Sequence, residues 1–215
     1  MKRILRWVGA VGMAGLLAGR AGAQQNLIPN GDFSAKDPLK DWRIDFPHQS
    51  QYEKNASYIK PATQLGRPCV EVALPPGLAG NQGGKVESAL VPAVPGATYK
   101  VAVDCLTWSF SAKVHAEAYV TDPRPNGRQG TSIFVIPATN GIPARVMAWR
   151  AQVSDPPAGG KKWATVSREF TLPATVTVAG KECKPEFLVL KAVVYAATMD
   201  AGQSYFTNFR LYRVK

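Results

Sequence analysis

Alternating hydrophobic and polar residues are the main pattern of this sequence, and residues 163–173 show it most clearly. One face of this segment is apolar, at Val166, Phe170 and Leu172. A period of two predicts a β-strand with one buried face and one solvated face. Arg168 interrupts the apolar face, so we expect the strand to bend there or to lie near a sheet edge. Pro173 ends the strand, because proline cannot donate a hydrogen bond to a neighbouring strand.

The same alternation recurs along the chain between turn signals rich in glycine and proline. It predicts strands at 39–46, 68–74, 86–91, 99–105, 113–121, 133–136, 144–153, 187–198 and 205–214. No segment after residue 23 has a convincing helical period. Roughly ten short strands of this kind predict an all-β protein built as an antiparallel β-sandwich. Because the first and last strands are both strongly apolar, we expect the termini to pair within a sheet, as in a jelly roll.

Three of these strands carry more detailed predictions. Strand 113–121 is expected to be the hairpin partner of strand 99–105 and to have one wet face. Strand 187–198 is so apolar that we expect its first half to be buried on both faces. In strand 205–214, strict alternation places Phe206 on the opposite side from Phe209.

The first 23 residues have the features of a secretory signal peptide. Three basic residues begin it, an apolar run at 8–18 follows, and Ala21-Gly22-Ala23 is a cleavage site. The alternative, a retained membrane anchor, would need a run of ~18 or more apolar residues. We expect cleavage near Ala23 and export to the periplasm, the cell envelope or the medium. Residues 24–215 contain no linker or repeat, so they are predicted to form one domain.

The predicted mature chain is basic. The signal peptide contains four basic residues and no acid, so its removal lowers the formal net charge from +11 to +7. A basic exported protein tends to associate with anionic polymers, and acidic glycans or an anionic envelope fit best. No basic run or recognition motif points to nucleic acid. A solvated basic surface without a partner explains the charge equally well.

The three cysteines, Cys69, Cys105 and Cys183, leave the redox state open. Export makes one disulfide plausible, but the sequence does not choose the pair. Buried free thiols are an equally ordinary outcome for Cys69 and Cys105, since both lie in apolar strands. With two histidines in the chain, no Cys/His zinc pattern exists.

Four ordered motifs resemble the CenC-type carbohydrate-binding modules of the galactose-binding-like jelly-roll superfamily. Residues 26–33 read N-L-I-P-N-G-D-F and are followed by Trp42, and residues 94–99 read V-P-G-A-T-Y. Residues 163–173 supply a tryptophan, a phenylalanine and a closing proline, and residues 205–211 read Y-F-T-N-F-R-L. The resemblance spans residues 26–215 and implies a jelly-roll fold and glycan binding. It also implies that Trp42 and Trp163 belong to the core.

Many members of that family hold a structural calcium ion, and here the resemblance is incomplete. The family has an acid just after the opening phenylalanine and an aspartate in the closing strand. This sequence has Ser34 and Thr207-Asn208 at those positions. Calcium prefers several oxygen ligands that include carboxylates. Asp32, with backbone carbonyls, is the remaining candidate ligand, and no other cofactor is expected.

Catalytic patterns are weak, whereas a binding surface can be assembled. Glycoside hydrolysis needs two facing carboxylates, and only Glu117 and Glu169 are predicted to lie within strands. Sugars bind to aromatic faces with polar groups nearby. The ligand-binding candidates on the predicted wet sheet face are Tyr119, Trp149 and Trp108 for stacking, with Glu117, His115 and Arg150 for hydrogen bonds. Tyr119 is expected to be partly exposed, and a core position is the alternative for Trp149.

A second candidate is the loop 122–130, where Arg124 and Arg128 could contact an acidic glycan or phosphate; an ordinary exposed turn explains it equally well. The leading hypothesis is an exported, non-catalytic carbohydrate-binding protein. The alternative is a structural or adhesive envelope protein that uses the sandwich as an interaction scaffold, because a fold does not dictate a function.

Overall fold

The computed structural model describes residues 25–45, 58–76, 83–108, 112–124, 135–136, 143–157, 159–195 and 202–215. The predicted signal peptide and Arg128 lie outside these ranges. These ranges contain fourteen strands: β1 (Trp42–Asp45), β2 (Ile59–Gln64), β3 (Arg67–Leu74), β4 (Gly84–Ser88), β5 (Val91–Pro92), β6 (Thr98–Thr107), β7 (Ala112–Thr121), β8 (Val135–Ile136), β9 (Arg145–Ser154), β10 (Ala164–Thr171), β11 (Val176–Val178), β12 (Lys181–Cys183), β13 (Phe187–Val194) and β14 (Gly202–Arg213). Within the described ranges, no helix has the length and apolarity that a membrane crossing requires.

Two antiparallel sheets form a sandwich, which confirms the predicted fold class. The larger sheet has the order β1-β4-β13-β7-β9-β8, with β5 also paired to β13. The smaller sheet has the order β10-β6-β14-β3-β2, and β11 pairs with β12 in a separate hairpin. The core lies between the two sheets and is formed by the inward residues of both, such as Val101, Val103, Ala116 and Leu190. Strand β13 is buried on both faces, as its apolar sequence predicted.

The predicted hairpin between strands 99–105 and 113–121 is wrong. Strand β6 pairs with β10 and β14 in the smaller sheet, whereas β7 pairs with β13 and β9 in the larger sheet. The two strands are consecutive in sequence but belong to opposite layers. As a result, Trp108 at the end of β6 and Tyr119 on β7 do not share a face.

A β-bulge changes the faces of β14. The pairing register with β6 shifts between Thr207 and Arg210. Within this interval Asn208 has a left-handed backbone conformation, with a φ of 50°. A bulge adds one residue to a strand and reverses the phase of the side chains that follow it. Phe206 and Phe209 are therefore both buried in the core, and the prediction that placed them on opposite sides is wrong.

The opening motif lies along β14 and is joined to it by hydrogen bonds, but it is not a strand of the sheet. The sheet neighbours of β14 are β6 and β3, so the predicted pairing of the first and last strands within one sheet is wrong. The Asn26 side chain donates to the Phe209 carbonyl (3.0 Å) and accepts from the Leu211 amide (2.9 Å). The Leu27 amide donates to the Leu211 carbonyl at 2.9 Å. A Cβ added to Gly31 would lie 2.2 Å from the Phe209 oxygen. Glycine is needed there because the two backbones approach too closely for any side chain.

Strand β10 confirms one prediction and corrects another. It is an edge strand, and Arg168 is exposed and donates to the Gln152 carbonyl of β9 at 2.6 Å. Trp163, however, is only half-buried and stands outside the core cluster. Its indole N–H donates to the Gln64 carbonyl at 3.4 Å, and Arg67 covers its ring. The core position expected for Trp163 is therefore wrong, because its polar edge and a guanidinium hold it on the outer side of the smaller sheet.

Trp42 has the core position expected for it, and of the two alternatives for the cysteines the structure shows free thiols. Trp42 packs against the core, with its ring centroid 4.8 Å from that of Phe33. The cysteines are all free thiols, and Cys69 and Cys105 are buried. Burial raises the pKa of the Cys69 thiol to about 11 and raises that of Cys105 as well, so both stay protonated and unreactive at neutral pH.

Candidate functional site

The outer face of the larger sheet carries a row of charged side chains that are buried. Register places Arg43 opposite Glu87, Glu87 opposite Lys191, and Lys191 opposite His115 across four neighbouring strands. Glu87 and Lys191 are each 1% exposed, and Glu117 beside them is fully buried. Charged groups are rarely buried unless they are paired, so this row needs internal partners.

Those partners are present. The Lys191 Nζ lies 2.8 Å from Glu87 Oε1 and 2.6 Å from Glu117 Oε2. Arg150 Nε donates to Glu117 Oε1 at 2.8 Å, and Arg43 Nε donates to Glu87 Oε2 at 2.7 Å. Burial opposes ionisation of Glu117, but Lys191 and Arg150 outweigh it and hold its pKa below the usual value. The row is therefore a paired ionic network.

Tyr119, Glu117 and His115 belong to this network, and the wet face predicted for their strand is wrong. Tyr119 is fully buried, and its hydroxyl donates to Glu117 Oε2 at 2.9 Å. Its pKa is raised by burial and by the nearby carboxylates Glu117 and Glu87. Polar alternation reports which side of a strand is polar, but not whether that side is accessible. These three side chains are buried in the charged row instead of exposed to solvent.

His115 is the exception to the pairing. It is 5% exposed, and its Nδ1 has no hydrogen-bond partner in the described part of the structure. Burial, together with the positive charges of Arg150, Lys191 and Lys113, lowers the pKa of His115 to about 4, although Glu117 acts in the opposite direction. The imidazole is therefore neutral at physiological pH.

The sequence reasoning missed Lys191, Glu87 and Arg43. Lys191 is a lone lysine in the otherwise apolar run F-L-V-L-K-A-V-V of β13, and a lysine at the centre of a doubly buried strand requires a carboxylate partner. That signal was available in the sequence. The identity of the partner strands was not.

Trp149 lies on the other side of the larger sheet. It pairs with Ala118, a core residue, and its ring centroid is 5.2 Å from that of Phe170. The predicted role of Trp149 in a common platform with Tyr119 is therefore contradicted, and the alternative core position is correct. The physical reason is the strand period, which turns neighbouring side chains to opposite faces.

Trp108 is the accessible aromatic residue among the predicted ligand-binding residues. It is 55% exposed and follows β6 in the smaller sheet. Its ring packs against Gly160, since a Cβ there would lie 2.4 Å from Trp108 Cδ2. The amides of Gly159 and Gly160 both donate to the Thr107 carbonyl, at 3.1 and 2.9 Å, which holds this loop under the ring. One side of the indole is thus supported while much of the ring remains open.

Polar side chains surround the position of Trp108 on the sheet. The Trp108 amide donates to the Gln203 carbonyl at 3.0 Å. Gln203 Nε2 donates to Glu71 Oε1 at 3.1 Å and to the Tyr205 hydroxyl at 3.0 Å, and that hydroxyl donates to Glu71 at 3.0 Å. Lys60 Nζ is 3.5 Å from Glu71. We call Trp108, Gln203, Tyr205, Glu71 and Lys60 the Trp108 surface.

The Tyr205 hydroxyl is a stable hydrogen-bond donor in this surface. Partial burial, followed by the hydrogen bond to Glu71, raises its pKa to about 12. It therefore stays protonated at neutral pH. Gln203 and Glu71 add an amide and a carboxylate, so the surface offers both donors and acceptors beside an aromatic ring.

The region of Asp32 does not fit a calcium ion. Asp32 Oδ1 accepts from the amide and the hydroxyl of Ser34, at 3.2 and 2.9 Å. The carbonyls of Asp32 and Pro68 both accept from the Thr207 hydroxyl, at 3.3 and 2.8 Å. The Thr207 hydroxyl therefore occupies, by hydrogen bonding, the carbonyl oxygens that a calcium ion would need as ligands. No cluster of three or more acidic, histidine or cysteine side chains suited to a metal occurs in the described ranges.

In the second predicted site, the loop 122–130, the charge of Arg124 is balanced by a neighbouring carboxylate. Arg124 donates from Nε to Asp122 Oδ1 at 2.6 Å and from Nη2 to the other oxygen of the same carboxylate. The charge of Arg124 is thus largely balanced by its neighbour two residues away. Arg128 lies outside the described residues.

Comparisons with known proteins identify similar folds. The sequence matches no protein-family model and no curated protein. Among solved structures, the enzymatically active domain of bacteriophage CBA120 tailspike protein 4 is 8% identical, with a TM-score of 0.46; the match covers 88% of this chain and 21% of that one. The N-terminal cellulose-binding domain of Cellulomonas fimi β-1,4-glucanase C is 15% identical, with a TM-score of 0.48 and 89% and 99% coverage.

A third similar structure is TmCBM61 in complex with β-1,4-galactotriose, at 13% identity, a TM-score of 0.43, and coverage of 88% of this chain and 99% of that one. Likenesses at this level concern the fold and carry no argument about a ligand. The chain spans about a fifth of the tailspike protein structure.

Proposed function

We propose that the protein is an exported, non-catalytic carbohydrate-binding protein that holds a glycan on the Trp108 surface. The observation that carries the proposal is the indole of Trp108, which is supported by Gly160 and 55% exposed. Tryptophan is enriched in binding sites, where its ring offers a large apolar face and its N–H a polar edge. A pyranose ring can lie on the indole through its C–H groups while its hydroxyls bond to Gln203, Tyr205 and Glu71.

The non-catalytic part of the proposal rests on the placement of the acids. Glu117 is on the outer face of the larger sheet and is saturated by Lys191, Arg150 and Tyr119. Glu169 is exposed on β10 of the smaller sheet. A glycosidase needs two carboxyl groups facing one bond. Glu117 and Glu169 lie on opposite sides of the sandwich. Glu87, which shares Lys191 with Glu117, is buried and paired with Lys191 and Arg43. Neither pair of acids presents two free carboxyl groups to a glycosidic bond.

Export and family membership are supported by the sequence. The basic start, apolar run and Ala21-Gly22-Ala23 of the first 23 residues support cleavage and release to the periplasm, envelope or medium. The four ordered motifs support a relation to the CenC-type modules, and two of them have a structural role here. The motif at residues 26–33 binds the N-terminal segment to β14 through backbone hydrogen bonds. The motif at residues 205–211 contains the β-bulge of β14.

The test is Trp108→Ala in the mature protein, with Val94→Ala as the matched control. Val94 is also an exposed apolar residue, 43% exposed, but it precedes β6 whereas Trp108 follows it. A glycan array identifies a ligand for the wild-type protein, and affinity gel electrophoresis then measures its retention. We expect Trp108→Ala to weaken retention about tenfold or more, since truncating a central tryptophan commonly costs ~2 kcal/mol. Both variants should unfold at nearly the wild-type temperature.

Equal retention by wild-type and Trp108→Ala proteins would remove the Trp108 surface as the site. Absence of glycan binding by the wild-type protein, together with specific capture of envelope proteins, would favour the alternative role as an interaction scaffold.

A further inference from the structure

A second polar cluster lies on the outer face of the smaller sheet, centred on Asp104. Thr165 Oγ1 and Arg210 Nη2 donate to Asp104 Oδ1, at 2.7 and 2.9 Å. Asn208 Nδ2 and Arg67 Nη1 donate to Oδ2, at 2.8 and 3.3 Å. A carboxylate offers about four acceptor positions, so Asp104 is saturated. It is also buried, which fixes the cluster in place.

The cluster has more positive than negative charge. Two guanidinium groups share the single carboxylate of Asp104, which leaves one positive charge in excess. The Arg67 side chain is 49% exposed and that of Arg210 is 35% exposed. Within the described ranges, Arg67 hydrogen-bonds only through Nη1, and Arg210 Nη1 has no acceptor. Both arginines thus keep unused donors on accessible side chains.

The cluster and the Trp108 surface share one sheet face. Asp104, Leu106 and Trp108 are alternate residues along β6 and its end, and a rise of about 3.4 Å per residue separates the first and last by roughly 14 Å. Trp163 adds a second aromatic ring, because the Arg67 guanidinium lies 5.7 Å from its centroid. An oligosaccharide on the indole of Trp108 can therefore extend along β6 to the arginines.

We propose that Arg67 and Arg210 form an anion subsite and that the glycan bound by this protein carries carboxylate or sulfate groups. This inference rests on the proposed function. Guanidinium groups bind carboxylate and sulfate through paired, charge-assisted hydrogen bonds. The role of Asp104 is to hold both guanidinium groups in position, and Thr165 and Asn208 already satisfy part of its hydrogen-bonding capacity.

Neighbouring charges do not cancel the excess. Lys60 and Glu71, in the Trp108 surface, pair with each other at 3.5 Å. Glu169 and Lys100 are both exposed and are opposite one another in the ladder between β10 and β6. Each of these pairs is neutral in sum, so the surplus remains at Arg67 and Arg210.

The experiment compares acidic polysaccharides with neutralised forms of the same backbone. Polygalacturonate and its methyl ester test the carboxylate, and a sulfated galactan and its desulfated form test the sulfate. Binding of the mature protein is measured by titration calorimetry at low and high salt. We expect one acidic form to bind about tenfold more tightly than its neutral form at low salt, with the preference reduced at high salt. Arg67→Gln should lower that preference to about threefold or less.

Three further variants make the test specific. Arg67→Lys should keep part of the preference, because the charge remains but the paired geometry is lost. Arg168→Gln removes the same charge from an exposed arginine of edge strand β10 and should leave the preference unchanged. Trp108→Ala should weaken acidic and neutral forms alike. Thermal unfolding of each variant verifies that it is folded.

The outcomes separate this inference from the function on which it rests. Equal binding of acidic and neutral forms, or an equal loss in Arg168→Gln and Arg67→Gln, would overturn the anion subsite and leave glycan binding intact. Failure of the wild-type protein to bind any glycan of a broad array would overturn both proposals.

Discussion

Acidification should destabilise the protein through His115. The imidazole is buried on β7 with Lys191 opposite it on β13, Arg150 nearby on β9, and Lys113 and Glu117 on its own strand. A neutral histidine is tolerated there, but a protonated one would add a positive charge next to three cations. The unfolded chain has no such restriction. Protons are therefore taken up by the unfolded state first as the pH falls.

The size of the effect follows from the pKa of His115, which is 6.5 when unperturbed and about 4 in the folded protein. Because the folded pKa is lowered, full stability is present above pH ~6.5 and is lost progressively as the pH falls toward 4. Between pH ~7 and pH ~4.5 the loss attributable to this one group is about 2 to 3 kcal/mol. This loss is a substantial part of the free energy of unfolding of a typical domain, which is about 10 kcal/mol.

Urea unfolding monitored by tryptophan fluorescence at the two pH values measures this loss. Carboxylates of the unfolded chain also take up protons near the lower end of this range, so the informative quantity is the difference between wild-type and His115→Gln proteins. The variant should lose about 2 to 3 kcal/mol less stability on acidification. Replacing the other histidine of the chain, His48→Gln, is the matched control. An identical pH dependence of wild-type and His115→Gln proteins would refute the reasoning.

Two further predictions concern stability. Lys191→Met should lower the free energy of unfolding, measured in urea, by about 3 to 5 kcal/mol, because it leaves Glu87 and Glu117 buried without their shared cation. The control Lys60→Met breaks an exposed ion pair and should lower it by about 1 kcal/mol or less. Similar losses in both variants would contradict the buried network. Thr207→Val should lower the free energy of unfolding by about 1 to 3 kcal/mol, because it removes the hydroxyl that bonds to the Asp32 and Pro68 carbonyls. Neither calcium nor a chelator should change the melting temperature of the wild-type protein. A rise in melting temperature with calcium would contradict the conclusion that the region of Asp32 does not fit this ion.

The strands and the core were predictable because period-two alternation directly reflects burial on one side of a sheet. The inward residues of β3 and β6 are buried as their patterns require, including Val70, Val72 and Leu74. The edge position of β10 was also readable, since Arg168 on an apolar face can reach solvent only where the sheet ends. The burial of one strand face and the edge position of β10 both follow from the residue pattern within a single strand, so they can be predicted from that segment alone.

The features that could not be predicted depend on distant residues. Whether the polar side of β7 is wet depends on Lys191 and Arg150, which lie on other strands. The faces of β14 depend on a bulge at Asn208, and a single extra residue reverses an otherwise correct alternation. The same is true of Trp163, whose outer position follows from a guanidinium almost a hundred residues away in the chain.

The two outer faces of the sandwich should therefore separate stability from recognition. On the larger sheet, charges are buried and paired, so removing one leaves an uncompensated ion inside the protein and lowers the free energy of unfolding. On the smaller sheet, Trp108 is accessible, and removing its indole leaves no buried charge without a partner. Variants of Lys191 should alter unfolding without changing glycan affinity in protein that remains folded, whereas variants of Trp108 should do the reverse. A glycan site on the larger sheet would instead make both quantities fall together when Lys191 is replaced.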